Sequence, residues 1–480
     1  MVLGLQKEKG HKAMVFMPFF CYFSGLYIPL YSFLSELFPF DRFGFTTVQA
    51  VFILICGCLL LPLLHASILA LLMMISKFTD RFYLKIAVFA SLFTVGEWVL
   101  SLGSLAFPWG STAISLLGFL PFVQSASIFG QYFITFIVVY ACALLAAALT
   151  ESKKILAVLS LSIFLVNTFS GVILFYFPPE KADTFSAAMI QGNVLSNEKW
   201  DSHNYRSIFK KYISMTETAA KSGSDLIILP ETAIPSEFVP GCSIHKELAK
   251  IAKEFDVTIV SGIHASEGDK NYNSVIAIYP DGSLSQRYDK RHLVPFGEFI
   301  PFGDTLGNMF PFIREFEESG SVLEQGTSPC VIATEYGNLG PLVCFDSIFP
   351  QFASDAAKDN ADILVIVTND SWFNDSQGIY THLKHARMRA IETGKPVLRA
   401  ANTGISASIN SKGEIIKSSD PLVEDILRTP MHVSGQTTVY TMTGDVIIYV
   451  SAIIIISSIL DFIIRRIRHG KNKTLPKTDV

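Results

Sequence analysis

The apolar residues of this chain are distributed unevenly, and that unevenness limits what it can fold into. Residues 13–177 are dominated by apolar runs long enough to cross a bilayer, residues 183–436 mix polar and apolar positions, and residues 441–464 are apolar again. Backbone polar groups inside a bilayer find no water, so each long continuous run is expected to be a helix. The chain therefore divides into a multi-span α-helical membrane domain, a globular α/β domain and one closing span. Half of the 480 residues are hydrophobic, an excess the runs account for. The net charge of −4, with no basic, aromatic-interleaved patch in the central domain, argues against nucleic acid.

The runs predict spans at 13–38, 46–76, 82–102, 131–149 and 155–177, then 446–464. The first is too long for a signal peptide and lacks a small-x-small cleavage site, so it is expected to remain. Residues 107–109 and the Gly/Ser-rich stretch after them suggest an interfacial or re-entrant link. Lys7, Lys9 and Lys12 precede the first span, Lys77, Arg81 and Lys85 follow the second, and Lys153 and Lys154 follow the fourth. By the positive-inside rule these belong to the cytoplasm, as does the basic tail at 465–480 with Arg465, Arg466, Arg468, Lys471 and Lys473. Residues 1–12 are then cytoplasmic, five crossings place the central domain outside, and the last span returns inward. Glu36, at a span end, is read as interfacial. Glu97, inside a span beside Trp98, must face either a polar ligand or a partner within the bundle.

Of the cysteines, Cys21, Cys56, Cys58 and Cys142 fall in apolar runs, where cysteine packs as a small hydrophobe. Cys242, Cys330 and Cys344 lie in the central domain without metal-ligand spacing, and their odd number leaves a free thiol. After a stiff connector at 178–181, the pattern alternates. It predicts strands at 185–193, 226–229 and 257–262, with helices at 205–221 and 244–255. A hairpin joins 273–279 to 284–288 and a strand pair turns at Gly337. Beyond it come a helix at 350–358, a strand at 363–368, a helix at 382–393 and strands at 397–401 and 405–409. The order is that of an α/β sandwich.

Three strand-like runs end on reactive residues: 225–231 on Glu231, 284–290 on Lys290, and 340–344 on Cys344. Strands lying in one parallel region would bring these ends to one crevice. A thiolate attacks carbonyl carbon readily and passes its acyl group to an amine. Glu231 could take and return the thiol proton while Lys290 favours the thiolate and steadies an oxyanion. Glu298, in a loop fixed by Gly297 and two prolines, could orient either. Each residue alone has a plainer reading: a packed cysteine, or a solvated strand cap. His382 and His385 have the i, i+3 spacing of metal ligands, but no third ligand is evident, so no metal is expected and the pair is read as substrate-facing or structural.

At these residues the chain strongly resembles the nitrilase superfamily and, within it, the bacterial apolipoprotein N-acyltransferases. The resemblance rests on Leu229-Pro-Glu231-Thr-Ala-Ile-Pro, Tyr288-Asp-Lys290-Arg-His-Leu-Val-Pro-Phe-Gly-Glu298 and Val343-Cys344-Phe-Asp346. Further agreement occurs at Met189-Ile-Gln-Gly-Asn193, Lys199-Trp200, Thr368-Asn-Asp-Ser-Trp372-Phe373, His385-Ala-Arg-Met-Arg-Ala390 and Asn402-Thr-Gly-Ile405, and in Glu97-Trp98 and Phe107-Pro-Trp109.

The resemblance implies a nitrilase-like α-β-β-α sandwich, no cofactor, and a ping-pong reaction that completes lipoprotein maturation. Cys344 would take a fatty acyl chain from a membrane phospholipid and yield it to the N-terminal diacylglyceryl-cysteine amine of an apolipoprotein. It also implies a bacterial inner-membrane location with the catalytic domain on the periplasmic face. Glu298 and Asp346 would support the site, and Trp200, Phe345, Trp372 and His385 would contact substrate. Two departures stand out. The family usually has seven spans before the catalytic domain, so a pair is missing here without changing topology, and Asp346 stands where the family tends to carry glutamate. The rivals are a membrane-tethered nitrilase-type amidase and a non-catalytic lipid- or lipoprotein-binding homologue.

Overall fold

The computed structural model describes residues 12–38, 46–79, 81–177, 184–309, 322–327, 331–433 and 437–473. The expectations for residues 1–11, the connector at 178–181, Cys330 and residues 474–480 lie outside these, as do Asp41 and Arg42 between the first two expected spans. Among the described residues, six helices are long and apolar enough to cross a membrane: Val15–Leu37, Thr47–Phe78, Phe82–Val99, Gln131–Glu151, Lys154–Tyr176 and Val446–Arg468. The second contains a π-helical turn, Cys56–Leu60, just before Pro62, whose ring leaves a carbonyl one turn earlier without its usual donor.

After Val99 the chain folds back through three one-turn helices, Thr112–Ser115, Leu120–Val123 and Ala126–Phe129. Glu97 closes this link. Its Oε1 accepts from the Thr112 amide at 2.9 Å and the Thr112 hydroxyl at 2.8 Å, and its Oε2 accepts from the Thr135 hydroxyl at 2.7 Å. Of its two readings, the bundle partner is the one observed. The link also lies close against the helix Lys154–Tyr176, where a Cβ on Gly171 would fall 1.7 Å from the Pro121 carbonyl oxygen. The last helix returns to pack on Phe82–Val99, fastened by a Thr79–Ser458 hydrogen bond and by Arg81 to Asp461 at 3.1 Å.

The globular domain contains twelve described strands. These are β1 (Thr184–Gln191), β2 (Leu226–Leu229), β3 (Thr258–Glu267), β4 (Lys270–Ile278), β5 (Tyr288–Asp289), β6 (Ile332–Thr334), β7 (Gly337–Val343), β8 (Ile363–Thr368), β9 (Val397–Ala401), β10 (Ala407–Ile409), β11 (Ile415–Ser418) and β12 (Asp425–His432). They form two sheets, β12-β1-β2-β3-β4-β5 and β11-β10-β9-β8-β7-β6, each with a parallel centre (β1-β2-β3 and β7-β8-β9) and antiparallel flanks.

The period-two alternation of strand side chains divides each central strand between two cores. Ala187 and Met189 of β1, Leu226 and Ile228 of β2, and Ile363, Val365 and Val367 of β8 meet between the sheets. Ala188, Ile190, Ile227 and Leu229 face the other way, onto the helices Tyr205–Lys221 and Ser243–Phe255. Leu364 and Ile366 face the helices Pro350–Lys358 and Gln377–Thr393. The result is an α-β-β-α sandwich. Cys242, a free thiol, caps the helix Ser243–Phe255 by accepting from the His245 amide at 3.5 Å.

The core outside the second sheet continues into the membrane domain. Trp109 is buried, with ring centroids 4.9 Å from Phe33, 5.4 Å from Phe373 and 5.5 Å from His382, and Phe107 lies 5.6 Å from Phe345. Glu36 is tied to the same joint, accepting from Asn374 Nδ2 at 3.0 Å, so it is more than interfacial. Deeper in, Arg389 pairs with Glu392 at 2.8 Å and donates to Gln131 Oε1 at 2.9 Å, while Glu392 accepts from the Gln131 amide at 3.0 Å.

Candidate active site

The strand ends converge, but from two sheets and not from one parallel region. Glu231 follows β2 and Lys290 follows the antiparallel edge strand β5, both in the first sheet, whereas Cys344 follows β7 in the second. The crevice is thus a gap between facing layers. Cys344 opens a 3-10 turn, Cys344–Ile348, with φ of +50°, a left-handed conformation that costs a non-glycine residue roughly 1–3 kcal/mol and that functional sites tend to hold.

Glu231 is fixed at both oxygens. Oε1 accepts from Asn273 Nδ2 at 2.6 Å and lies 3.7 Å from Lys290 Nζ, and Oε2 accepts from the Asn369 amide at 2.6 Å. Buried Lys199 holds its backbone by donating to the Glu231 carbonyl at 2.9 Å. Gly262 is required behind it, because a Cβ there would sit 2.5 Å from the Pro230 carbonyl oxygen and 2.6 Å from Glu231 Cα. Lys290 is completely enclosed and donates to Glu298 Oε1 at 2.7 Å, whose Oε2 accepts from the Val294 amide at 2.8 Å. Glu298 is therefore the main counter-charge of the lysine. Burial works against the Lys290 charge, but Glu298 and then Glu231 outweigh it and hold the ammonium above its usual range.

Cys344 is partly exposed. Burial of its sulfur and the nearby Glu231 charge push the thiol well above its usual range, with Lys290 acting in the opposite direction. The resting residue is a thiol beside a carboxylate, an arrangement that would let Glu231 take the proton of an attacking sulfur.

Asp346 is wholly buried. Its carboxylate accepts from the Tyr288 hydroxyl at 2.9 Å, the His292 amide at 2.8 Å and the Val343 amide at 3.1 Å, so it ties the cysteine turn to the lysine segment. Burial raises its carboxyl from the usual 3.8 to about 6, with Lys290 and these donors opposing.

The four expected substrate contacts are not alike. Trp200 is 55% exposed and Trp372 is partly buried. Phe345 and His385 are buried in the joint: Phe345 packs on Phe107, and His385 Nε2 lies 2.9 Å from the Trp109 carbonyl oxygen. Burial drives His385 down to about 3, so it is a neutral packing group and not a contact on an open cleft. His382 lies instead beneath Cys344, with Nδ1 2.9 Å from Asp370 Oδ1. In the sequence Asp370 enters only as a member of the motif at 368–373 and Arg399 only within the strand at 397–401, neither with a role. Arg399, buried at the centre of apolar β9, is the available signal, since a buried guanidinium requires a counter-charge, here supplied just past the end of β8.

The profile of a family described as "Carbon-nitrogen hydrolase" matches residues 186–435, and that of the "Apolipoprotein N-acyltransferase N-terminal domain" matches residues 1–144. The apolipoprotein N-acyltransferase of Haemophilus influenzae is 31% identical over 434 residues, covering 85% of this chain and 80% of that protein. This chain belongs to the apolipoprotein N-acyltransferase family. The family member of Geobacter metallireducens is likewise 31% identical, over 352 residues, 71% of this chain and 67% of its own. Among solved structures, Saccharomyces cerevisiae Nit3 of the nitrilase superfamily is similar, with a TM-score of 0.42 and 20% identity over 53% of this chain and 91% of that one. As an apolipoprotein N-acyltransferase family member, the chain is an N-acyltransferase carrying a carbon-nitrogen hydrolase domain behind long apolar helices.

Proposed function

We propose that this N-acyltransferase moves a fatty acyl chain from a membrane phospholipid to the N-terminal amine of a diacylglyceryl-cysteine lipoprotein, through a thioester on Cys344. Glu231 takes the thiol proton as the sulfur attacks the ester carbonyl. The Lys290 ammonium steadies the oxyanion, a contribution of about 10²–10³ in rate at comparable sites. Glu231 then returns the proton to the departing glycerol oxygen, releasing a lysophospholipid. In the second half the acceptor amine attacks the thioester carbon, its proton passes to Glu231, and the sulfur leaves to be reprotonated. Glu298 keeps Lys290 charged throughout, and Asp346 holds the cysteine turn against the lysine segment.

The observation that carries this reading is the meeting of Glu231, Lys290 and Cys344 across the gap between two sheets, in a domain whose outer core is continuous with the membrane helices. Lys77, Lys153, Lys154 and the arginines after residue 464 all lie at span ends that the positive-inside rule assigns to the cytoplasm. The catalytic domain then faces the outer side of the inner membrane, where both lipid-anchored substrates are within reach. Mass spectrometry of the purified chain after incubation with phospholipid tests the scheme. An acyl adduct on Cys344 that is discharged by a lipidated N-terminal cysteine peptide is expected. No adduct, or hydrolysis of simple amides without transfer, overturns it.

A further inference from the structure

Beneath the nucleophile lies a buried carboxylate that this scheme does not use. Asp370, just past the end of β8, is fully enclosed and receives Arg399 NH2 from β9 at 2.5 Å on Oδ2. Its other oxygen, Oδ1, accepts from two groups: the Thr368 hydroxyl at 2.9 Å and His382 Nδ1 at 2.9 Å. A carboxylate that only accepts fixes the proton of the imidazole on Nδ1. Burial opposes the charge, but Arg399 and His382 hold Asp370 well below the usual carboxylate range. Gly404 is needed beside it, because a Cβ there would fall 2.2 Å from Oδ2.

Each of the two donors also reaches Cys344. The Thr368 hydroxyl, 2.9 Å from an oxygen of Asp370, whose carboxylate comes within 4.8 Å of the Cys344 sulfur, stands beside the thiol and favours its ionised form. His382 Nε2 lies 3.1 Å from the Cys344 carbonyl oxygen and 3.0 Å from Ser347 Oγ, which itself donates to that carbonyl at 2.7 Å. Cys344 Sγ, an Asp370 oxygen and a His382 nitrogen come within 4.8 Å of one another, a spacing a metal could bridge. Arg399 already supplies the cation on Asp370, however, and both ring nitrogens face hydrogen-bond partners.

We propose that Asp370 is the hub of a two-armed clamp on the nucleophile. The Thr368 arm steadies the sulfur, and the His382 arm, which donates from Nε2 to the carbonyl when both ring nitrogens carry protons, fixes the left-handed turn. With the thiol intact, the Thr368 hydroxyl donates to Asp370 and can accept from the S–H. When Glu231 removes that proton, the hydroxyl swings its hydrogen to the sulfur, and Asp370 keeps Arg399 and His382 as donors. Thr368 touches the reacting atom, whereas Asp370 and His382 are positioning residues. The clamp rests on the reading of Cys344 as nucleophile.

The test uses the full chain in detergent and reads two quantities: alkylation of Cys344 by iodoacetamide across pH, located by peptide mass spectrometry, and kcat and KM for a phospholipid donor. Thr368→Val keeps the shape and removes the hydroxyl. It is expected to alkylate about tenfold more slowly at pH 8 with a higher pH midpoint, the size of losing one hydrogen bond to the thiolate. Its kcat is expected to fall about 10–100-fold with KM within about twofold, since no substrate contact is lost. Thr368→Ser restores both, and His382→Gln lowers kcat without moving KM. A folded Thr368→Val or His382→Gln chain with wild-type alkylation and kcat overturns the clamp, as does a Thr368→Ser chain as impaired as a valine one. Alkylation needs neither acyl donor nor acceptor. Variants that show the alkylation differences beside a wild-type chain that transfers nothing would therefore count against the acyl-transfer reading and leave the clamp standing.

Discussion

Two buried ionic clusters in this protein look alike and, under the proposed mechanism, do different work. Around Lys290, Glu298 and Glu231 supply the counter-charge, and at the joint with the membrane helices Arg389 pairs with Glu392. Lys290, Arg389 and Glu392 are all wholly enclosed. Both clusters also perturb their members: Lys290 is held above its usual range, and burial, opposed by Arg389, pushes Glu392 up to about 7. Burial and shifted protonation therefore do not distinguish a site from a seam. The difference is the neighbour. The lysine cluster faces a cysteine held in a left-handed turn and still partly exposed, whereas the arginine cluster is spanned by Gln131 and closed off.

The sharpest way to separate the two is to remove chemistry from one and charge balance from the other. Cys344→Ala and Glu231→Gln should each cut acyl transfer by at least about 10³-fold, as loss of a nucleophile or its base does, with unchanged melting temperature. Neither should rescue a bacterium depleted of its own acyltransferase, and rescue by Cys344→Ala would contradict the mechanism. At the joint the loss should be structural. Glu392→Ala leaves Arg389 buried without its counter-ion and should cost about 3–5 kcal/mol, read as a lowered melting temperature. Transfer per folded molecule, measured well below that temperature, should stay within about threefold of wild type. Equal losses of activity in both clusters would erase the distinction.

Glu298→Gln probes within the site. It removes the nearest counter-charge of Lys290 but keeps its shape, and kcat should fall about 10²-fold, the typical weight of one electrostatic contact at a reacting centre. The smallest effect concerns pH. Folding raises the Asp346 carboxyl from 3.8 to about 6, so the folded chain holds that proton more tightly than the unfolded one. The stability this contributes is fully present below about pH 4 and lost as the pH rises through about 6. The melting temperature should therefore fall between pH 5 and pH 7, and Asp346→Asn should flatten that fall. Glu392, raised from 4.5 to about 7, acts in the same direction and should account for part of any residual slope.

Local pattern revealed the parts of this molecule more readily than their arrangement. The apolar runs coincide with the six long helices, and Glu231, Lys290 and Cys344 stand out as candidates because each follows a strand-like run. That these strands belong to two sheets was hidden, because partners across a sandwich leave no trace in local alternation. Strand β12 was missed because Pro430 interrupts its pattern. Proline is tolerated there because β12 is an edge strand, paired only with β1. Pro341 within β7 escapes a similar conflict, since β6 pairs only with Gly337 to Leu339 and stops before it. The roles of Glu97, His382 and Asp346 depend on partners tens of residues away, and only the folded chain identifies them.

The last helix docks against Phe82–Val99 through Thr79, Arg81, Ser458 and Asp461. The catalytic domain is thus suspended between two moorings in the bilayer instead of dangling from a single stalk. A protease cutting either tether would leave it attached by the other. So held, the domain stays beside the membrane helices, and the lipids of the proposed reaction would have to drift to it sideways through the leaflet.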